Sequence, residues 1–349
     1  MIFQYPKEFP EDDFERMVPD VATARHLVRE RRPELLALLE HRRRRFAPLI
    51  ATRPDAPVQA AEDAILMAFC RLAYRHGNWG RDLHHYHNEG HIFEILGPRL
   101  ERLIDAIGLH ALSLRDWFLL ALFAAAHDLR QREVPEFAAG IGSNERASIE
   151  ETFRILHLCG FTEERNADVF LAIELMIAGS TFDARPAPLA LEYNSAEVTQ
   201  SGGALAQKLE EKLDKHIPGW RADERGVHAL ELALIAADLD TANVAEPFPV
   251  FMASTERLCL EREMRSHRDP ADAASAQPML NFLTTGQEHY FFDLHRFSSE
   301  HGRTAFAAAK QANAERMRTL IRELRARAPA PRNGTEVLTA FRTAVAEMA

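Results

Sequence analysis

Apolar residues recur along most of this chain at intervals of three and four, the period of an amphipathic helix, while alternating runs of β-branched residues are nearly absent. The pattern predicts helices over about 11–30, 33–51, 57–76, 87–106, 113–128, 143–158, 164–178, 203–215, 226–239, 250–266, 280–296, 299–327 and 335–347. Two stretches are apolar beyond a single face. Trp117 to Ala126 reads as a helix buried all round, and Ser113-Leu-Arg-Asp116 ahead of it fits a capping box. Val227 to Ala237, rich in Leu and Ala, reads as a second buried helix. Clusters of Pro, Asp, Ser and Ala interrupt the pattern around Phe182–Gly203 and His267–Pro278, and the first is expected to shape the mouth of a pocket. Ala328-Pro-Ala-Pro-Arg-Asn-Gly334 is a breaker, followed by an apolar stripe of Leu338, Phe341 and Val345 that could dock on its own chain or on a second subunit, leaving room for a homodimer. The fold class expected is all-α: an N-terminal helical extension (1–60) packed on the core, a main domain (61–327), and a linker with a short C-terminal helix (328–349).

Composition adds exclusions rather than a function. A net charge of −10 gives no general attraction to a nucleic-acid polymer or an acidic membrane. The longest apolar run, 117–126, is about half of the roughly 20 residues that span a bilayer. With no basic, apolar leader at its start, the chain is expected to be cytoplasmic. Cys70, Cys159 and Cys259 are far apart and odd in number, which predicts reduced core thiols rather than a disulfide framework.

The candidate chemistry sits at the ends of the predicted helices. In Tyr86-His87-Asn88-Glu89-Gly90-His91 a helical reading puts His87 and His91 at i and i+4, so one imidazole can hold a metal while the other handles a proton. His127-Asp128 closes the apolar run, and ionisable groups delivered to the end of a buried helix need a partner, for which a shared metal ion is a natural solution. Asp238 ends the second buried helix. It is preferred over Asp240, which stands before Thr-Ala-Asn and could cap the next turn. The run His41-Arg-Arg-Arg-Arg-Phe46 is a candidate phosphate patch, although charge runs on helices are more often solvated faces.

These residues, in this order, resemble the HD-domain superfamily of metal-dependent phosphohydrolases, whose signature is His … His-Asp … Asp on a helical bundle. Within it, Tyr86-His87-Asn88-x-x-His91, Phe123-Ala-Ala-Ala-His127-Asp128, Met176-Ile177-Ala178, Ala237-Asp238-Leu239 and Gln287-x-x-Tyr290-Phe291-Phe292-Asp293 are similar to segments of the class I cyclic-nucleotide phosphodiesterases. Asn144-Glu145-Arg-Ala-Ser148 is similar to bacterial predicted HD phosphohydrolases. The resemblance implies an HD-domain helical bundle with His91, His127, Asp128 and Asp238 as ligands of a divalent ion, which could be Mn²⁺, Mg²⁺, Fe²⁺, Zn²⁺ or Co²⁺. It implies His87 as general acid, Glu145 and Glu150 as carboxylates orienting His87 or water, and Gln287 with Tyr290 or Phe291 gripping a nucleobase. The chain departs from the pattern where it reads His127-Asp128-Leu129-Arg130-Gln131: Gln131 stands where a further imidazole is expected, which puts a second ion in doubt, and Arg130 becomes a candidate for contacting phosphate. The function implied is hydrolysis of a nucleotide phosphodiester, cyclic nucleotides included, with nucleoside monophosphate phosphomonoesterase and non-catalytic nucleotide-binding module as the alternatives.

Overall fold

The computed structural model describes all residues except 135, 139, 184–202 and 349. Most of the sequence expected to form a pocket mouth, Phe182–Gly203, therefore lies outside the described residues. The described chain is mostly helical, as the period of its apolar residues requires. Among the described residues strand is confined to two two-residue antiparallel pairs, β1 (Phe137–Ala138) with β2 (Ile141–Gly142) and β3 (Phe182–Asp183) with β4 (Gly203–Ala204).

The chain divides into two compact units, one of Met1–Leu83 with His87–Asp240 and one of His84–Tyr86 with Thr241–Ala349. The span read from sequence as one domain, 61–327, is thus divided after Asp240. The first unit contains α1 (Asp13–Met17), α2 (Val21–Arg31), α3 (Pro33–Arg45), α4 (Ala47–Ala51), α5 (Val58–Arg75), α6 (Glu89–Glu94), α7 (Leu100–Ile107), α8 (Leu114–Ala126), α9 (Ser143–Leu158), α10 (Glu163–Gly179), α11 (Leu209–His216) and α12 (Glu224–Asp240).

Helix α8 is its centre. Ser113 accepts from the Asp116 N–H while the Asp116 carboxylate accepts from the Ser113 N–H, the reciprocal cap predicted from sequence. Every residue of α8 except Arg115 is buried, and α5, α9, α10 and α12 pack around it. The N-terminal helices pack on this core through apolar residues such as Val28, Leu35 and Phe46. Buried ion pairs reinforce them: Arg71 reaches Glu15 at 3.0 Å, Arg75 reaches Asp12 at 2.8 Å, and Arg154 reaches Glu15 at 2.6 Å.

Three of the four arginines of the α3 run are occupied by partners within the chain, and Arg44 is exposed. Arg42 is buried against the Leu96 carbonyl and Glu101, Arg43 pairs with Glu62, and Arg45 pairs with Glu101 and Asp105. The three cysteines are free thiols; Cys70 and Cys259 are buried and Cys159 is half-buried.

The second unit contains α13 (Phe248–Arg265), α14 (Ala276–Asn281), α15 (Gln287–His289), α16 (Glu300–Arg327) and α17 (Gly334–Glu347), with π-helical turns at Phe282–Gly286 and Tyr290–Leu294. The C-terminal stripe docks on its own chain. Val337, Leu338 and Phe341 are buried, the Thr335 N–H donates to the Pro270 carbonyl, and Arg342 pairs with Glu256 at 2.6 Å. No helix among the described residues is long and apolar enough to cross a membrane.

Candidate metal centre

Three helix ends in the first unit supply the site. Asn88 caps α6 by accepting the Gly90 N–H, so the helix begins at Glu89 and His87 precedes it. The i,i+4 reading of His87 and His91 therefore fails in detail, because an Asn at the cap position stops the helix short. The two rings still meet edge to face, with centroids 6.2 Å apart.

After α6 the chain widens into a π-helical turn, Ile95–Arg99, which contains Pro98 and so cannot keep the α-helical bonding pattern. Arg99 at its end donates to the carbonyls of Leu239 and Asp240, at 3.3 and 2.5 Å, and to Glu94 at 3.2 Å. A guanidinium on these last carbonyls satisfies the C-terminal end of α12 and favours its dipole. Asp240 is thereby fixed beside His91.

Nε2 of His91 lies 3.0 Å from Oδ1 of Asp240, and the same oxygen is 3.4 Å from Nε2 of His127. Oδ2 of Asp128 is 3.0 Å from His127 Nε2 and 3.8 Å from His91 Nε2. Atoms held roughly 2.1 Å from one ion stand about 3.0 to 3.4 Å apart at octahedral or tetrahedral angles, close to these separations. His91, His127 and Asp240 form a group of mutually close donor atoms able to hold a metal ion.

The state of His127 makes the fit sharper. Its Nδ1 lies 3.1 Å from the Phe123 carbonyl, which can only accept, so Nδ1 carries the proton and Nε2 faces the carboxylates. His127 Nε2 and Asp128 Oδ2 are both sealed from solvent, and neither makes a directed hydrogen bond despite their closeness. Facing acceptors of this kind call for a cation between them, either a proton on Nε2 or a metal ion. In the metal-free protein the proton is strongly held. Burial opposes charge on His127, but Asp128 and Asp240 raise its pKa well above the ordinary imidazole value. His91 is raised too, with burial outweighed by its hydrogen bonds to Asp240 and Glu94. Burial would raise the Asp128 carboxyl, yet His127, with His87 and His91, brings it down to about 2.

Asp240, not Asp238, joins this group, reversing the order in which sequence placed them. Two residues along an α-helix is a rotation of about 200°, so the two carboxylates leave α12 in nearly opposite directions. Asp238 is buried on its own side.

The other sequence candidates separate clearly. Arg130 is not presented to a phosphate: its guanidinium is committed to Glu151 at 2.8 Å, Glu133 at 3.0 Å, Glu15 at 3.1 Å and the Pro10 carbonyl at 3.1 Å. Glu150 uses both oxygens structurally, accepting the Phe9 N–H at 2.8 Å and Arg146 at 3.0 Å, which anchors the N-terminal segment. Glu145 lies in the first turn of α9 beside Gly142 and contributes negative charge around Tyr5, whose phenol is pushed up to about 12 mainly by burial.

In the second unit Gln287 is buried and Tyr290 is half-buried, edge-on to His295 with centroids 5.5 Å apart. Phe291 belongs to the core of that unit. It is 2% exposed, stacks on Phe251 at 5.9 Å and has Lys310 over its ring at 5.0 Å, which removes it as a base-stacking surface.

A cavity of about 810 Å³ also lies in the first unit, lined by Leu49, Ser113, Asp116, Phe118, Phe161 and His228 among others. It opens at the N-terminal end of α8, whereas His127 caps the opposite end. Cavity size and candidate chemistry thus point to different places, and the chemistry follows the buried donors. No protein-family model and no curated protein matches this chain.

Proposed function

We propose that the protein is a metal-dependent phosphohydrolase acting on a nucleotide phosphodiester. The observation that carries the reading is the buried convergence of His91, His127, Asp128 and Asp240, with His127 Nε2 and Asp128 Oδ2 facing each other without a hydrogen bond. Two imidazoles and two carboxylates, with no thiolate, suit Mn²⁺, Fe²⁺, Zn²⁺, Co²⁺ or Mg²⁺. A divalent ion at such a site polarises a phosphoryl oxygen and lowers the pKa of water.

The residues of the chain supply the rest. Asp128 and Asp240 hold the imidazoles in place, and Phe123 fixes the tautomer of His127 through its carbonyl. His87, outside the helix but against the His91 ring, is the proton donor to the leaving oxygen, a role suited to an imidazole because its ordinary pKa of about 6.5 lies near neutral.

The test is turnover of cyclic mononucleotides, cyclic dinucleotides and nucleoside monophosphates with added Mn²⁺ or Mg²⁺, products resolved by mass. Ring opening that is lost in Asp128→Ala supports the proposal. His87→Ala is expected to keep its metal and lose most turnover, by about 10²–10⁴-fold for a general acid. Release of inorganic phosphate from monophosphates would replace the diesterase with a monoesterase, and nucleotide binding without turnover would replace the enzyme with a binding module.

A further inference from the structure

The two oxygens of Asp128 have different neighbours. Oδ2 faces His127 and His91, whereas Oδ1 accepts the side-chain amide of Gln131 at 2.5 Å. The partner is a carboxylate, so the amide must present its N–H and not its oxygen. Gln131 is itself held: its backbone N–H donates to Nε2 of His76 at 3.1 Å, and both residues are buried. We infer that Gln131 is a positioning residue that holds Asp128 as a one-oxygen ligand and confines the site to a single divalent ion.

The argument is one of which groups face Oδ1. Two-ion sites set their metals roughly 3.5–4 Å apart, and a carboxylate joins them by giving one oxygen to each. Asp128 Oδ1 already accepts an amide proton; one lone pair of that oxygen remains, but the side chain set against it presents N–H, and an amide nitrogen has no lone pair to offer a second cation. Turning the amide over would set its oxygen against Oδ1, two buried acceptors that only a shared cation could satisfy, so the number of ions bound reports which way the amide faces. His76 cannot substitute, because its Nε2 lone pair is already used by the Gln131 N–H. A buried amide donating to a ligand carboxylate is also the kind of outer contact that orients a ligand and tunes affinity.

The inference rests on the metal-site reading above, and a metal count separates the two. Wild type, Gln131→Glu and Gln131→Met are loaded with Mn²⁺, with His127→Ala as the ion-poor reference. Metal is counted by mass spectrometry and the bound ion examined by electron paramagnetic resonance. Wild type is expected to hold one Mn²⁺ per chain with the six-line signal of an isolated ion. Gln131→Glu, which puts a carboxylate where the amide stood, is expected to take up a second ion with an exchange-coupled spectrum. Gln131→Met is expected to bind its ion about 10–100-fold more weakly. Two coupled ions in wild type, a Gln131→Glu protein that still holds one, or unchanged affinity in Gln131→Met would each overturn the inference while leaving the metal site standing. A wild type that takes up no ion would overturn the metal-site reading, and this inference with it. Should Gln131→Met fail to fold, as read by circular dichroism, the wild-type and Gln131→Glu counts decide.

Discussion

Glu151 is fully buried and lies under the turn that carries His127 and Asp128. Its Oε2 accepts from Arg130 at 2.8 Å and from Arg75 at 2.9 Å, and Arg71 stands 3.7 Å from Oε1. Arg75 in turn donates to the carbonyl of Leu129, the residue after Asp128, at 2.6 Å. Glu151→Gln removes the charge while keeping the shape, leaving buried guanidiniums short of a partner. Breaking a buried ion pair from one side costs about 3–5 kcal/mol. Arg75 keeps Asp12, Arg71 keeps Glu15, and Arg130 keeps Glu15 and Glu133, so the lower end, about 3 kcal/mol, applies. For a unit of this size each kcal/mol moves the melting temperature by about 2–4 °C, giving a drop of roughly 6–12 °C by scanning calorimetry. The comparison is Asp13→Asn, whose pair with Arg16 is exposed, at 88% and 60%, and is expected to change little. A Glu151→Gln protein that melts within about 2 °C of wild type, like Asp13→Asn, would refute the reasoning.

Two further outcomes follow from the same contacts. Asp240→Ala is expected to weaken Mn²⁺ or Co²⁺ binding by at least about tenfold in equilibrium dialysis, with Asp238→Ala affected far less; the opposite ranking would restore the sequence preference. Burial would raise the carboxyls of Asp12 and Glu15, but Arg75 and Arg130 hold the first, and Arg154, Arg71 and Arg130 hold the second, below their ordinary values of 3.8 and 4.5. Because the folded values are depressed, the stabilisation is present above those ordinary values and lost as pH falls through the folded ones. Urea midpoints are expected to hold between pH 7 and about 5 and to fall below about 4, with a shallower fall in Glu15→Gln; an equal acid slope in the variant would show that Glu15 contributes nothing.

Much of this was legible from the chain because helix period, caps and breakers are local. The helix over 143–158 and the Ser113–Asp116 cap emerged where the pattern placed them. His127 and Asp128 stood out as candidates because ionisable residues at the end of an apolar run have few satisfactory fates, and His91 stood out through its segment with His87. What escaped depends on partners far along the sequence. Arg130 looked free until Glu15 and Glu151 met it, and Glu150 looked available until the Phe9 N–H took one of its oxygens. Choosing Asp240 over Asp238 needed the direction each side chain leaves α12, and that is set by Arg99 clamping the last carbonyls. Asn88, which stops the helix short of His87, was a readable signal that the i,i+4 argument passed over.

Helix α8 is pinned at both ends, by the reciprocal Ser113–Asp116 cap and by the cluster that receives His127, and between them only Arg115 reaches solvent. A single residue inserted into or deleted from it would turn everything downstream by about 100° and shift it by about 1.5 Å. Apolar side chains would then swing out of the core as His127 swung away from His91 and Asp240. Length variation among descendants of this chain should therefore be excluded from 113–128 and collect instead in the connections on either side, so that the spacing from Ser113 to His127 is inherited as a fixed ruler while the residues along it remain exchangeable among apolar types of similar volume.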